Sequence, residues 1–550
     1  MISAMVQTDG YKLDHRRQMP KEIIFQLNNA TPRNTRRKGV KNIVWIGTQY
    51  LIKKYLIRNF NDTFFNVAKP IAVANFRRVL DSYLPGNTIG TKHIEDLHDL
   101  GYLPIEVRAL PEGELIPYGV PPITYFNTNE KFVWLVGYLE TLISCVLWQP
   151  STSATTAYEF RKMLTKWAIK TTGNANGVKY QGHDFSMRGM PGPEAAMTSG
   201  FGHATSFIGS DTVPVISFAE DFYNANAERE VIIQSVAATE HSVMCLNIGL
   251  FIFNKYEGNW ERVGDAEFDT FKRIILEVYP KGIVSIVSDT FSLWRVLEEF
   301  LPQLKEEILA REGTIVIRPD SGDPVLILTG YVESKDLDHT NWFQLKDGEF
   351  YKDALAADYL IKNKLISSTT YTETIGVVES LWNTFGGSIS EQGYKLLNPK
   401  IGTIYGDGIT YERGNAICDR LHRKGFASTN WVAGLGSFTY QYTTRDTDGW
   451  AIKATYGEAR LEDGTIMEIP VFKDPITGDG SKKSAKGRPS VFRAPEGPYY
   501  LKDQCTLEEW EASLHEPVFR NGKILKETSL SVIRSIVDQN LEKELACQES

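Results

Sequence analysis

In the run GTIVIRPDSGDP an apolar segment ends in an arginine and an aspartate two residues apart. Side chains alternate along extended chain, so Arg318 and Asp320 project to the same side, where they can hold an anionic group and a hydroxyl or metal together. A surface turn with a local salt bridge is the plainer alternative. Three other apolar runs end comparably: GIVSIVSDT in Ser288-Asp289, KIGTIYGDGIT in Gly406-Asp407-Gly408, and STNWVAGLGSFT in Gly434-Leu435-Gly436-Ser437. Glycines let backbone N–H groups approach a phosphate closely, and a helix starting there adds its dipole. Arg445, in the following TTRD, offers a bidentate guanidinium. Alone, the glycine turn reads equally as a tight turn, since neither GxGxxG nor the Walker A pattern occurs. Asp289 and Asp407, taken singly, read as readily as helix caps or turn formers.

Other clusters are more open. HDFSMRG gathers His183, Asp184, Phe185 and Arg188, which suits a planar ring beside an anion but also a packed turn. Glu240-His241 in EHSVM reads as a core histidine satisfied by its neighbouring carboxylate. GSDT, Gly209 to Thr212, reads as a turn with an N-cap, and SKKSAKGR as a solvated basic loop or one that closes over phosphate.

To act together, these turns need a scaffold. Apolar strand, polar turn and helix, repeated, is the texture of a parallel α/β barrel or open α/β sheet. In a barrel, the turns after the strands gather on one rim, where ligands bind. Asp320 and Asp407 are separated by far more than one βα unit of roughly 30 residues, which predicts an insertion near 330–400. Before the barrel, KEIIFQLNNATPR reads as a strand, GTQYLIKKYLIRNF as a helix, and GYLPIEVRALPEGELIPYGVPPITYFNT as short β segments. The following helical stretch contains Pro150-Ser151-Thr152, read as a break near a domain boundary. After residue 440 the barrel texture fades. The expected division is 1–150 and 440–550 as two parts of one domain, with the barrel at 151–439.

A chain of 550 residues is too long for one ordinary domain. With 42% hydrophobic and 23% charged residues it is not disordered, collagenous or a coiled coil. Its net charge of −8 argues against a nucleic-acid binder, yet leaves room for a local basic pocket around a small anion. The five cysteines include no CxxC pair, so neither a disulfide framework nor a zinc site is indicated. No apolar run reaches the roughly 18 residues of a membrane helix, and the start lacks a signal-peptide core. A soluble, cytoplasmic protein is expected.

Taken together, TDGYKLDHRRQMP, LPIEVRALPEGELIP, HDFSMRG, GSDTV, EHS, VSDT, IRPDSGDP, YGDG, TRD, VFKDP and KGRPS resemble the nicotinamide phosphoribosyltransferases, in that family's order along nearly the whole chain. The type I phosphoribosyltransferase signature is absent, which agrees with a type II enzyme. The resemblance implies an irregular α/β barrel plus a second α/β domain built from both chain ends. It also implies a homodimer with active sites at the interface. The reaction would join nicotinamide to phosphoribosyl pyrophosphate, with Mg²⁺, in NAD salvage.

By the same resemblance Arg188, His241 and Arg318 face the pyrophosphate, and Asp320, Gly406 and Asp407 address the ribose. Asp289 with Asp320 helps hold Mg²⁺. Gly436, Ser437, Arg445 and Lys453 sit where the family binds the 5′-phosphate, with Arg33 reaching in from the other subunit. Phe185 and the partner chain's Tyr11 would sandwich the pyridine ring. Asp211 would read the carboxamide and repel nicotinate. His241 matches the histidine that the family phosphorylates with ATP. Ala451 stands where the family often has Ser, and Ser437 where it has Gly. The rivals are a nicotinate enzyme, a non-catalytic binding protein on this fold, and an aldolase or isomerase barrel. The last usually needs a strand-end Lys or Glu base, whereas these strand ends offer Asp, Arg and Gly.

Overall fold

The apolar runs that end in polar turns form one parallel sheet. The computed structural model describes residues 2–330, 342–344, 350–352, 371–406, 408–473, 485–495 and 497–549. The seven parallel strands run, in spatial order, Gly209–Ser210, Gly182–Asp184, Val432–Leu435, Ile401–Tyr405, Ile315–Arg318, Val284–Val287 and Ala237–Ala238. Gln234, shortly before the last of these, forms a parallel bridge with Gly209 of the first, so the sheet curls back on itself. Val284, Ile286, Ile315, Ile317, Ala433 and Leu435 are completely buried. Each large side chain so placed contributes roughly 1.5–3 kcal/mol by leaving water.

A second seven-stranded sheet is antiparallel and draws on both ends of the chain. Its order is Ile466–Pro470, Trp450–Arg460, Ile23–Pro32, Ile123–Asn127, Ile105–Ala109, Glu516–Arg520 and Lys523–Ile524. Trp450–Arg460 pairs along nearly all of Ile23–Pro32, which brings the chain back from the barrel to its beginning. The α/β architecture is thus an irregular, barrel-like sheet plus a second α/β layer built from both chain ends. The predicted insertion falls largely outside the described residues; within 330–400, Tyr371–Phe385 is helical, and Gly387–Ile389 pairs with Lys395–Leu397.

The break expected at residue 150 is absent. One helix runs continuously from Trp134 to Thr172 with Pro150 inside it. The Pro150 ring packs on Gly47, where a Cβ would lie 3.0 Å from its Cγ and where φ is +111°, a conformation that only glycine adopts without strain. The polar residues of the expected break serve the neighbouring backbone instead. Ser151 Oγ accepts from Ile46 N–H at 3.0 Å and donates to Ile46 C=O at 2.8 Å, and Thr155 Oγ1 accepts from Val44 N–H at 2.9 Å. Thr152 donates to Asp448, a fully buried carboxylate that also receives Tyr118 OH at 2.8 Å and Arg37 Nη2 at 2.6 and 2.7 Å. That one side chain ties the long helix, the N-terminal loop and the start of the returning strand together.

Candidate active site

The C-terminal ends of the parallel strands surround a cavity of about 710 Å³. Phe185, Arg188, Asp211, His241, Arg318, Asp320, Gly406, Gly436 and Ser437 line it, from turns widely separated in sequence. Met187, Thr212, Glu240 and Ser242 complete the lining.

The first wall follows strand Gly182–Asp184. Buried Asp184 accepts from Ser186 N–H at 2.8 Å and from Thr212 Oγ1 at 2.7 Å, clamping the Phe185 turn to the Asp211 turn. The ring of Phe185 lies 4.6 Å from that of His183, centroid to centroid. Asp211 Oδ1 receives His183 Nε2 at 2.9 Å and Ser235 Oγ at 2.6 Å. Partial burial works to raise this carboxyl's pKa, but the two hydrogen bonds and the nearby Arg318 outweigh it and hold it below the usual range. Asp211 is therefore ionised at neutral pH. Among the described residues no hydrogen bond engages its Oδ2.

The second wall carries His241, the first residue of helix His241–Lys255. Its side chain is 45% exposed, so it is not a core histidine, and Glu240 is not its partner: Glu240 accepts the hydroxyl of Ser242. The carboxylates facing it come from other strands, Asp289 Oδ1 at 3.6 Å and Asp320 Oδ2 at 3.9 Å from Nε2. Asp289 Oδ2 accepts from Asp320 N–H at 2.9 Å and Ser321 Oγ at 2.6 Å, while its buried Oδ1 has no hydrogen-bond partner among the described residues. Arg318, at the end of its strand, is anchored by one nitrogen to the carbonyl of Thr239.

The third wall is the glycine turn. Helix Ser437–Tyr440 begins there, and Gly436 and Ser437 at its start line the cavity. Ser437 fits because Gly189 lies opposite: a methyl at Gly189 would overlap the serine side chain.

Four expected residues lie elsewhere in the chain. Arg445 is exposed and paired with Asp446 at 3.3 Å, outside the cavity lining. Lys453 and Arg33 belong to the antiparallel layer: Lys453 sits opposite Asn29, and Arg33 Nε donates to Gly449 C=O at 3.1 Å. Lys453 lies on Trp450–Arg460, which has left the barrel for the other sheet, so it does not line the cavity of its own chain. Tyr11 is 60% exposed on a short 3-10 turn near the chain start, its hydroxyl on Asp9 at 3.2 Å. Asp407 lies outside the described residues.

Sequence reasoning also missed contributors. His183 stands in HDFSMRG with nothing in the motif to set its role, and nothing in the sequence singles out Ser235 or the Thr239 carbonyl.

A curled parallel sheet with an anion-suited cavity at its strand ends defines a barrel-type enzyme whose specificity lies in the strand-end turns. The model of the nicotinate phosphoribosyltransferase (NAPRTase) family matches residues 180–523. A curated relative named nicotinamide phosphoribosyltransferase, from Acinetobacter baylyi, is 42% identical over 98% of this chain and 98% of its own. Another of that name, from Mycoplasma pneumoniae, is 31% identical over 88% of this chain and 95% of its own. The crystal structure of nicotinate-nucleotide pyrophosphorylase from Pyrococcus furiosus superposes with a TM-score of 0.51 at 13% identity, covering 98% of this chain and 96% of that one, a likeness of fold. The chain belongs to the nicotinate phosphoribosyltransferase family. Among the described residues no helix is long and apolar enough to cross a membrane.

Proposed function

We propose that the protein transfers the phosphoribosyl group of phosphoribosyl pyrophosphate to nicotinamide, giving nicotinamide mononucleotide and pyrophosphate in NAD salvage. The bond from C1 of the ribose to the pyrophosphate oxygen breaks, and a bond from C1 to the pyridine nitrogen forms. The observation that carries the choice of base is Asp211, ionised and with Oδ2 unengaged. It accepts from a carboxamide N–H and repels a carboxylate, so nicotinate is disfavoured.

The other residues have roles suited to a ribosyl centre that becomes cationic as pyrophosphate leaves. Phe185 offers a flat face for the pyridine ring and fixes its angle of attack. Arg188 and Arg318 stabilise the departing negative charge. Gly406 and Asp320 address the ribose, and the N–H groups at Gly436 and Ser437 receive the 5′-phosphate. Asp289 and Asp320 would hold Mg²⁺: the first has an unpartnered buried oxygen, the second an exposed carboxylate, and two hard oxygen donors suit an ion that keeps water and phosphate in its shell. The ion would supply charge neutralisation on the pyrophosphate.

His241 stands on the rim beside both aspartates, where ATP would phosphorylate it and so drive synthesis. Tyr11, Arg33 and Lys453, outside the cavity lining of their own chain, suit a homodimer in which they complete the partner's site.

The test is incubation with nicotinamide, phosphoribosyl pyrophosphate and Mg²⁺, with and without γ-labelled ATP. Mononucleotide formation, its increase with ATP and label on His241 are expected. No mononucleotide in either condition refutes the activity; mononucleotide without label on His241 refutes the ATP coupling alone.

A further inference from the structure

Beside the candidate active site lies a second cavity of about 930 Å³, and the two share walls. The turn after Ile401–Tyr405 faces the first cavity with Gly406 and the second with Thr410 and Tyr411. The turn after Val432–Leu435 faces the first with Gly436 and Ser437 and the second with Phe438 and Thr439. Two of the strand-end turns that shape the catalytic cavity thus have their backs to another space large enough for a small molecule.

The second cavity is basic in an acidic protein. Among the described residues five cationic side chains line it against two carboxylates, Glu159 and Glu412, while the chain as a whole carries −8. Arg37 is engaged by buried Asp448, and Lys162 by Glu159 and Glu544. The side chains of Arg36, Lys38 and Lys166 have no ion-pair or hydrogen-bond partner among the described residues. Three unpaired cations converging on one space repel one another, and a bound anion relieves that repulsion.

Aromatic rings stand beside them. Phe438 and Tyr442, 41% and 77% exposed, have centroids 4.6 Å apart at a tilt of 44°. Tyr411, 41% exposed, packs edge-on against Phe160 at the same cavity. Exposed rings next to unpaired cations favour a ligand that is a planar ring at one end and an anion at the other.

We propose that this second cavity binds a nucleoside phosphate. Its phosphate lies against Arg36, Lys38 and Lys166, and its base against the Phe438–Tyr442 pair. Occupancy is felt in the catalytic cavity through the two shared turns. The binding site is separate from the catalytic cavity of the same chain, because none of its three cations or its ring pair lines that cavity.

The test is equilibrium dialysis of the full chain with radiolabelled AMP. The exposed pair Lys38→Glu/Lys166→Glu is expected to weaken AMP binding by at least about tenfold, since each charge-assisted phosphate contact is replaced by repulsion. Tyr442→Ala, also at an exposed position, is expected to weaken it by about three- to tenfold through lost stacking. Arg318→Ala/His241→Ala, altered only in the catalytic cavity, should keep the affinity of the unaltered chain.

Binding lost in that last variant and kept in the charge reversal would place AMP in the catalytic cavity and overturn the proposal. Loss in both, loss in neither, or no saturable AMP binding to the unaltered chain overturns it too, as does a second copy of the chain found covering the cavity. A shift in KM for phosphoribosyl pyrophosphate on adding AMP, absent in the charge reversal, supports the coupling. Intact AMP binding with no such shift removes the coupling and leaves the site.

Discussion

Asp289 accepts the backbone N–H of Asp320 at 2.9 Å, so the two carboxylates beside His241 are held together by main chain rather than by side-chain rotamers alone. The same oxygen receives Ser321 Oγ, which leaves the other buried and open toward His241. Charge and positioning can therefore be separated by substitution. Asp289→Asn keeps a carbonyl acceptor for the turn but loses the charge. The Mg²⁺ concentration giving half-maximal mononucleotide formation should rise by about tenfold or more, with little change in Tm. Asp289→Ala should lose in addition about 1–2 kcal/mol of stability, read by denaturant unfolding, because the turn loses its acceptor. An unchanged Mg²⁺ requirement in Asp289→Asn would remove Asp289 from the metal site.

Asp211 makes specificity measurable. Asp211→Asn keeps the size of the side chain but loses the charge, so the ratio of kcat/KM for nicotinamide over nicotinate should fall by about tenfold or more. The sign of its pH dependence follows from its lowered pKa: stability from this group is present above the unfolded carboxyl value and is lost as pH falls through the folded one. Base preference should therefore stay flat through the neutral range and change only in acid. A preference that titrates near neutrality would assign the discrimination to another group.

Glu267 is 1% exposed on helix Val263–Arg273, and among the described residues neither carboxyl oxygen has a hydrogen-bond partner. Burial pushes its pKa from the usual 4.5 up to about 7, against the lowering effect of the Phe291 amide and Arg295 and with a further push from Asp289. Between those values the folded chain binds the proton more tightly than the unfolded one, so the group's contribution falls as pH rises through that window. Glu267→Gln should match the unaltered protein near pH 4, below the unfolded value, and exceed it above pH 8 by on the order of 2 kcal/mol. Thermal unfolding at the two pH values checks this; equal midpoints at both would show the acid to be better satisfied than its surroundings indicate.

Asp448 is the structural counterpart. Replacing it by Ala strands the guanidinium of Arg37 and the hydroxyls of Tyr118 and Thr152 around an unfilled space. Removing one partner of a buried ion pair costs about 3–5 kcal/mol, so Asp448→Ala should lower denaturant stability by that order. Asp448→Asn should lose less, since it keeps acceptors for the hydroxyls. Equal losses would mean that the charge of Arg37 is not what Asp448 compensates.

Much of this molecule is legible in its sequence. The four apolar runs with polar ends are the strands Val284–Val287, Ile315–Arg318, Ile401–Tyr405 and Val432–Leu435, and their turns do converge. Residue pattern suffices there because a strand buried on both faces must be continuously apolar, and a chain leaving it must be polar. Where a polar residue served a distant backbone, pattern misled. Pro150-Ser151-Thr152 has the composition of a helix break, yet it lies inside a continuous helix, its hydroxyls satisfying Ile46 and Asp448 from other parts of the chain. Lys453 follows the glycine turn closely in sequence but belongs to a strand paired with the start of the chain.

By itself the sequence determined the α/β class, the strands and the chemical kinds of residue offered at their ends, because these depend on local apolar pattern and turn chemistry. Only the tertiary structure decided who faces whom. Next to His241 in the chain stands Glu240, but the carboxylates that face it are Asp289 and Asp320, and the state of Asp211 is set by His183 and Ser235. Electrostatic interaction falls with distance through space and takes no account of separation along the chain, so a group's charge is settled only when the strands are in place.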